Sequence, residues 1–158
     1  MMSSVMPGHG SGGGAGPARD GCLPSGTGRP ARYRDLMIER LPADVSEVLA
    51  LVLDQDDPVH AALRAQVPHL RVTGRCGCGC GTADLALDTR SVEPAPVGAG
   101  RFVAAEAVLT TETGECPGKV LVFTEDGYLS WLEVCSWSDD IEVDLAAARA
   151  WLRAGHRP

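Results

Sequence analysis

Three of the six cysteines in this 158-residue chain fall within five residues, in the run Arg75-Cys76-Gly77-Cys78-Gly79-Cys80-Gly81. Thiolates are common ligands of structural zinc, a close pair of thiols can oxidise to a disulfide, and an unreactive cysteine packs as a small apolar side chain. The glycines give the backbone the freedom to bring the cysteines together. The run therefore predicts a metal site, a thiol redox site or a tight hairpin of small residues, and all three remain open.

The metal hypothesis requires a ligand from outside the run. Structural zinc is bound by four ligands, commonly from C-x2-C pairs, whereas these cysteines are separated by single residues. Among the distant candidates, Cys116 is the one that we expect on a polar loop, before Pro117-Gly118. We therefore predict zinc bound by Cys76, Cys78, Cys80 and Cys116.

The redox hypothesis uses the same run. A Cys76–Cys80 or Cys78–Cys80 pair could oxidise reversibly, and the positive charge of Arg75 would favour a thiolate. A βαβ pattern typical of thioredoxin-like proteins does not accompany the run.

Signals for enzymatic catalysis are weak in this chain. It contains no G-x-S-x-G, H-E-x-x-H or P-loop motif. A cysteine nucleophile needs a histidine base nearby, but His60 lies on a predicted helix and His69 precedes a predicted strand. We therefore expect a small non-enzymatic binding or regulatory protein.

Charge and composition limit the class of partner. The net charge of −7 disfavours nucleic acid, because proteins that bind it carry a basic face; an acidic domain suits a protein partner. No apolar run approaches the roughly 20 residues that span a bilayer, and no secretory signal is apparent at the N-terminus. We expect a cytoplasmic protein with reduced cysteines. Because aromatic residues make up only 4% of the chain, we expect a core of valine, leucine and alanine.

The helices are predicted by apolar spacing and capping residues. Residues 1–36 are rich in glycine and proline and are expected to form a disordered tail before a domain at 37–155. The stripe that begins at Val45 predicts a first helix, with Pro42 in its first turn. Asp57 and Pro58 are typical of the start of a second helix that ends near residue 66, and Asp144 of the start of a C-terminal helix.

The strands are predicted by alternation of apolar and polar residues. Strands on either side of the cysteine run form a first hairpin, and a three-residue loop, Gly77-Cys78-Gly79, would make Cys76 and Cys80 a cross-strand pair. Residues 102–109 form a lone strand with two competing apolar faces, and Asp126-Gly127 is a strong turn signal for a second hairpin. The prediction is an α+β domain, with an antiparallel sheet of about five strands, two N-terminal helices and one C-terminal helix.

Two motifs carry a resemblance to other proteins. The run Gly74-Arg75-Cys76-Gly77-Cys78-Gly79-Cys80 and the later Asp126-Gly127-Tyr128-Leu129-Ser130, with Leu132-Glu133-Val134, resemble a group of small uncharacterised bacterial proteins, chiefly actinobacterial. The resemblance covers roughly residues 41–137 and implies a domain boundary, but no activity. Cys135 stands where this group is expected to have tyrosine, so the resemblance does not imply that Cys135 is a ligand.

Overall fold

The computed structural model describes residues 41–155, and the predicted tail and residues 37–40 lie outside the described residues. The architecture is a five-stranded antiparallel sheet with two helices before it and one after it, which confirms the predicted α+β fold. In chain order the elements are α1 (Ala43–Val52), α2 (Pro58–Gln66), β1 (Arg71–Arg75), β2 (Ala83–Ala86), β3 (Arg101–Leu109), β4 (Gly118–Glu125), β5 (Tyr128–Ser136) and α3 (Leu145–Gly155).

Two of the helices begin at the predicted capping residues. Asp57 Oδ1 accepts hydrogen bonds from the backbone N–H groups of Val59, at 2.9 Å, and His60, at 3.1 Å. Asp144 Oδ1 accepts one from Ala147 N, at 2.7 Å. A carboxylate at this position satisfies N–H groups that have no partner within the helix. Pro42 is the N-cap of α1, one position before the predicted first turn.

The strand order is β1-β2-β5-β4-β3. The two hairpins, β1–β2 and β4–β5, therefore lie side by side, and β3 is at an edge although it comes between them in sequence. Asp126 (φ 52°) and Gly127 (φ 84°) both have positive φ values, as a tight β4–β5 turn requires. This order places the start of β2 beside β5, which positions the end of the cysteine run.

The core contains only the three expected residue types, since every buried hydrophobic residue among residues 41–155 is valine, leucine or alanine. The strands contribute one face to it, for example through Val122 and its cross-strand neighbour Leu132. Helix α1 packs against α3 on the sheet.

The pairing of β3 with β4 has a β-bulge between Val103 and Ala105. A bulge adds one residue to a strand and shifts its alternation. After the bulge, Ala105 and Leu109 are buried and Val108 is about half exposed; before it, Phe102 and Val103 are both about half exposed.

One buried polar side chain links a helix to the second hairpin. Gln66, at the end of α2, is fully buried. Its Nε2 donates to the carbonyl oxygens of Gly127, at 2.9 Å, and Glu93, at 3.2 Å, and its Oε1 accepts from Leu129 N, at 2.9 Å. These bonds fasten α2 to the β4–β5 turn.

Within residues 41–155, no helix has the length and apolar character needed to span a membrane.

Candidate metal centre

Residues 76–82, here called the cysteine loop, connect β1 to β2. Arg75 pairs with Ala83 at the ends of the strands, and Cys76 N donates a hydrogen bond to Thr82 O at 2.9 Å. The predicted three-residue loop with Cys76 opposite Cys80 is therefore wrong, because Thr82 lies opposite Cys76. Gly79 (φ 88°) and Gly81 (φ 89°) turn the chain within this longer loop, so that Cys80 belongs to the loop and not to a strand.

The three cysteine sulfurs of the loop converge. Their Sγ atoms all lie within 4.8 Å of one another, and those of Cys76 and Cys78 are 3.0 Å apart. In a tetrahedral thiolate site with metal–sulfur bonds of about 2.3 Å, neighbouring sulfurs are about 3.8 Å apart. Changes of about 1 Å in side-chain position would thus bring the sulfurs to one ion, and the cluster could hold a metal.

The cluster sits at the surface. Cys78 is exposed, and Cys76 and Cys80 are half-buried. A Cβ atom added at Gly77 or Gly79 would meet nothing within 4 Å, so the outer side of the loop is open. Gly81 differs, because a Cβ there would clash with the side chain of Leu145 at the start of α3. The inner side of the loop therefore rests on that helix.

Thr82 anchors the loop to the sheet. It is only 1% exposed, and its Oγ1 accepts hydrogen bonds from Val134 N on β5, at 3.0 Å, and from Cys80 Sγ, at 3.2 Å. The β2–β5 pairing begins at Ala83, so the Thr82 hydroxyl extends that pairing by one hydrogen bond. Thr82 was not predicted to have this role; its only local signal is a threonine directly after the last Cys-Gly pair.

Cys116, the fourth predicted ligand, is not part of the cluster. Its exposed thiol lies 3.8 Å from Thr110 Oγ1, and its carbonyl accepts a hydrogen bond from Trp137 Nε1 at 2.6 Å. The structure thus brings together three of the four predicted ligands.

Cys135 lies near Cys80 but outside the group of converging sulfurs. It lies half-buried on β5, opposite Lys119 on β4. Burial, followed by the negative charge of Glu133, raises the pKa of the Cys135 thiol to about 11. This thiol is therefore less reactive as a nucleophile at neutral pH than a cysteine with an ordinary pKa.

Arg75, which was expected to favour a thiolate, also faces a carboxylate. Its Nη2 lies 3.5 Å from both carboxylate oxygens of Asp44 on α1. Part of its positive charge is consequently balanced by Asp44.

A second group of polar residues lies away from the cysteine run in sequence. His60 is buried, its Nδ1 is 2.5 Å from Asp57 Oδ2, and its Nε2 has no hydrogen-bond partner among the described residues. The hydrogen bond from the backbone N–H of His60 is the main cause that lowers the pKa of Asp57, and the imidazole adds to it. The spacing Asp-Pro-x-His is the sequence signal, since residues three apart meet on a helix.

His60 borders a groove of about 540 Å³ that Glu106 and Lys119 also line, with Lys119 Nζ 3.1 Å from Glu106 Oε2. Among the described residues that line this groove there is no cysteine, serine or threonine. His60, considered above as a base for a cysteine nucleophile, is thus hydrogen-bonded to Asp57 and has no described thiol beside it in the groove.

No protein-family model, no curated protein and no solved structure matches this chain.

Proposed function

We propose that this chain is a small non-enzymatic binding or regulatory protein whose cysteine loop holds a metal ion. The observation that carries the proposal is the convergence of Cys76, Cys78 and Cys80, whose sulfurs lie within 4.8 Å of one another. Thiolates brought together in this way bind soft or borderline metal ions such as zinc.

The proposed partner is another protein. The chain carries a net charge of −7, which favours a basic protein surface over nucleic acid or an anionic membrane. A reducing cytoplasm would keep the loop cysteines available to a metal. The resemblance to the bacterial group noted above remains a prediction and adds no activity to this proposal.

The metal proposal is tested by measuring metal content. The full chain, purified without chelator and without a metal-affinity tag, is analysed for zinc, iron and copper by plasma mass spectrometry, before and after each metal is added. We expect about one equivalent per chain in the wild type, because three ligands converge on one point. The variant Cys76→Ser/Cys78→Ser/Cys80→Ser should lose it.

Two matched variants serve as controls. Cys135→Ser should keep the metal, since Cys135 lies outside the group of converging sulfurs. Cys116→Ser tests the predicted fourth ligand directly. A wild-type protein that remains folded and binds none of the added metals would refute the proposal.

A thiol redox function is the second candidate, and the 3.0 Å separation of the Cys76 and Cys78 sulfurs favours it. A disulfide requires about 2.05 Å, so a small approach would allow the bond. The two thiols would transfer two electrons and two protons to the disulfide of a partner. The close pair is Cys76–Cys78, whereas the sequence suggested pairs that included Cys80.

The two functions differ in how the loop reacts with a thiol-alkylating reagent. A bound metal should protect the loop cysteines until a chelator removes it. A redox pair should be protected by oxidation and released by a reductant, with no effect of the chelator. Mass spectrometry of the peptide that contains Cys78 distinguishes the two.

A further inference from the structure

We propose that the cysteine loop is selective for Cu(I) over zinc and holds it in an exchangeable site of three thiolates. This inference rests on the metal site proposed above and specifies the chemical class of its ligand: a soft, monovalent metal ion.

The number of ligands is the first reason. Within residues 41–155, no fourth histidine, cysteine, aspartate or glutamate brings a ligand atom into the group formed by the three sulfurs. Structural zinc uses four protein ligands in a tetrahedron. Cu(I) is soft, prefers thiolates, and is satisfied by three of them in a plane.

The other two cysteines of the described residues lie outside this group. Cys116 Sγ contacts Thr110, and Cys135 lies on β5, opposite Lys119. A zinc ion at Cys76, Cys78 and Cys80 would therefore need a fourth ligand from outside residues 41–155, such as a water molecule or a partner. Cu(I) has no such requirement.

The fold of the loop is the second reason. The loop is closed at its base by the Cys76 N to Thr82 O hydrogen bond and anchored by the buried Thr82 hydroxyl on Val134 N. The loop therefore keeps its conformation without a metal. A structural zinc, in contrast, supplies the cross-link that holds its ligands together. An ion bound here can leave without unfolding the domain.

Access to the ion is the third reason. Cys78 is exposed, and space is open beyond Gly77 and Gly79. Structural zinc sites have all four coordination positions filled by protein ligands. Exchange of a soft metal requires that an incoming thiolate binds the ion before an outgoing thiolate leaves it. An exposed ligand on an open loop allows a thiolate of a protein partner to reach the ion in this way.

The binding step involves no electron transfer. Each coordinating thiol loses its proton to solvent as its sulfur bonds the ion, and the copper remains Cu(I) throughout. Binding must therefore weaken as the pH falls, because protons compete for the same sulfur atoms.

The test compares Cu(I) and Zn²⁺ on the full chain without oxygen. Cu(I) is titrated against the chromophoric chelator bathocuproine disulfonate and Zn²⁺ against a zinc-binding dye, and X-ray absorption counts the sulfur neighbours of copper. We expect one Cu(I) per chain with three sulfur neighbours, and displacement of bound zinc by one equivalent of Cu(I). Replacing Cys76, Cys78 or Cys80 singly by serine should weaken Cu(I) binding about 100-fold or more.

The controls separate this inference from the metal site itself. Cys116→Ser and Cys135→Ser should bind Cu(I) within about threefold of the wild type. Because Cys78 is exposed, Cys78→Ser should also keep the circular dichroism spectrum and the unfolding midpoint of the metal-free wild type. If one equivalent of Cu(I) did not displace bound zinc, or if Cys116→Ser lost the metal, the Cu(I) inference would be overturned, while the proposal of a metal site would remain supported. Failure to bind either metal would overturn both.

Discussion

Replacing Thr82 by valine removes one hydroxyl group from the base of the cysteine loop and preserves the shape of the side chain. Thr82 is 1% exposed, and its Oγ1 accepts the hydrogen bond of Val134 N at 3.0 Å. In Thr82→Val, this N–H group remains buried beside a methyl group. A buried donor that loses its partner costs about 1–3 kcal/mol.

The second hydrogen bond to Thr82 adds little to this cost. Cys80 Sγ donates at 3.2 Å, but a thiol is a weak donor, and Cys80 is half-buried, so its S–H can turn towards water. We therefore expect the free energy of unfolding to fall by about 1–3 kcal/mol. At about 4 °C per kcal/mol for a domain of this size, the melting temperature should fall by about 4–12 °C.

The assay is urea unfolding of the full chain, with hydrogen exchange of the Val134 amide measured by NMR. Thr73→Val, at an exposed position on β1, is the matched control and should change the stability by less than about 0.5 kcal/mol. Thr82→Ser keeps the acceptor oxygen and should keep the Val134 amide protected from exchange. If Thr82→Val were as stable as Thr73→Val and the amide stayed protected, the hydroxyl would not be the anchor of the loop.

Three further predictions concern Gln66, Cys135 and Asp57. Gln66→Leu should lower the free energy of unfolding by about 1–3 kcal/mol, because it removes the acceptor of the buried Leu129 N–H; the Gly127 carbonyl keeps its hydrogen bond from Ala95 N. In the same urea assay, Gln55→Leu at an exposed site should change the free energy by less than about 0.5 kcal/mol, and an equal effect of the two substitutions would contradict the reasoning. With a pKa of about 11, only about one Cys135 thiol in a thousand is ionised at pH 8. In the metal-free, reduced protein, iodoacetamide should therefore modify the exposed Cys78 long before Cys135, as followed by peptide mass spectrometry. Similar rates of modification would refute the assigned environment of Cys135. The folded-state pKa of Asp57 is lowered from 3.8, so its charge stabilises the fold above that pH, and this contribution disappears as the pH falls through the folded pKa. Asp57→Asn, which retains a capping oxygen, should therefore be less stable than the wild type at pH 7 and approach the stability of the wild type below about pH 4. A difference in stability that does not change with pH would show that the charge plays no part.

Local chemistry made most of the helices and turns predictable. Asp57 and Asp144 lie where their carboxylates cap helices, and Asp126 and Gly127 adopt the positive φ values of a tight turn. Each signal depends only on residues a few positions away, because caps and turns are made from adjacent backbone groups. The low aromatic content likewise indicated a core of valine, leucine and alanine.

The pairing of the strands could not be predicted in the same way. Alternation identifies a strand and its buried face, but it does not say which strand lies beside which. β2 pairs with β5, although β3 and β4 come between them in sequence. The bulge between Val103 and Ala105 was equally hidden, because both apolar faces of β3 are present in the sequence, and only packing buries Ala105 and Leu109 while leaving Phe102 and Val108 exposed.

In the candidate site, too, some features follow from local sequence and others only from tertiary packing. By itself, the sequence determined that Cys76, Cys78 and Cys80 lie within one short glycine-rich run, whose flexible backbone allows their sulfurs to meet. Only the tertiary structure decided that Cys116 lies apart from them, that Thr82 bonds a strand 52 positions away, and that His60 borders a groove with Glu106 and Lys119. These contacts depend on which distant surfaces pack together, and that choice is made by burial over the whole chain and not by any local pattern.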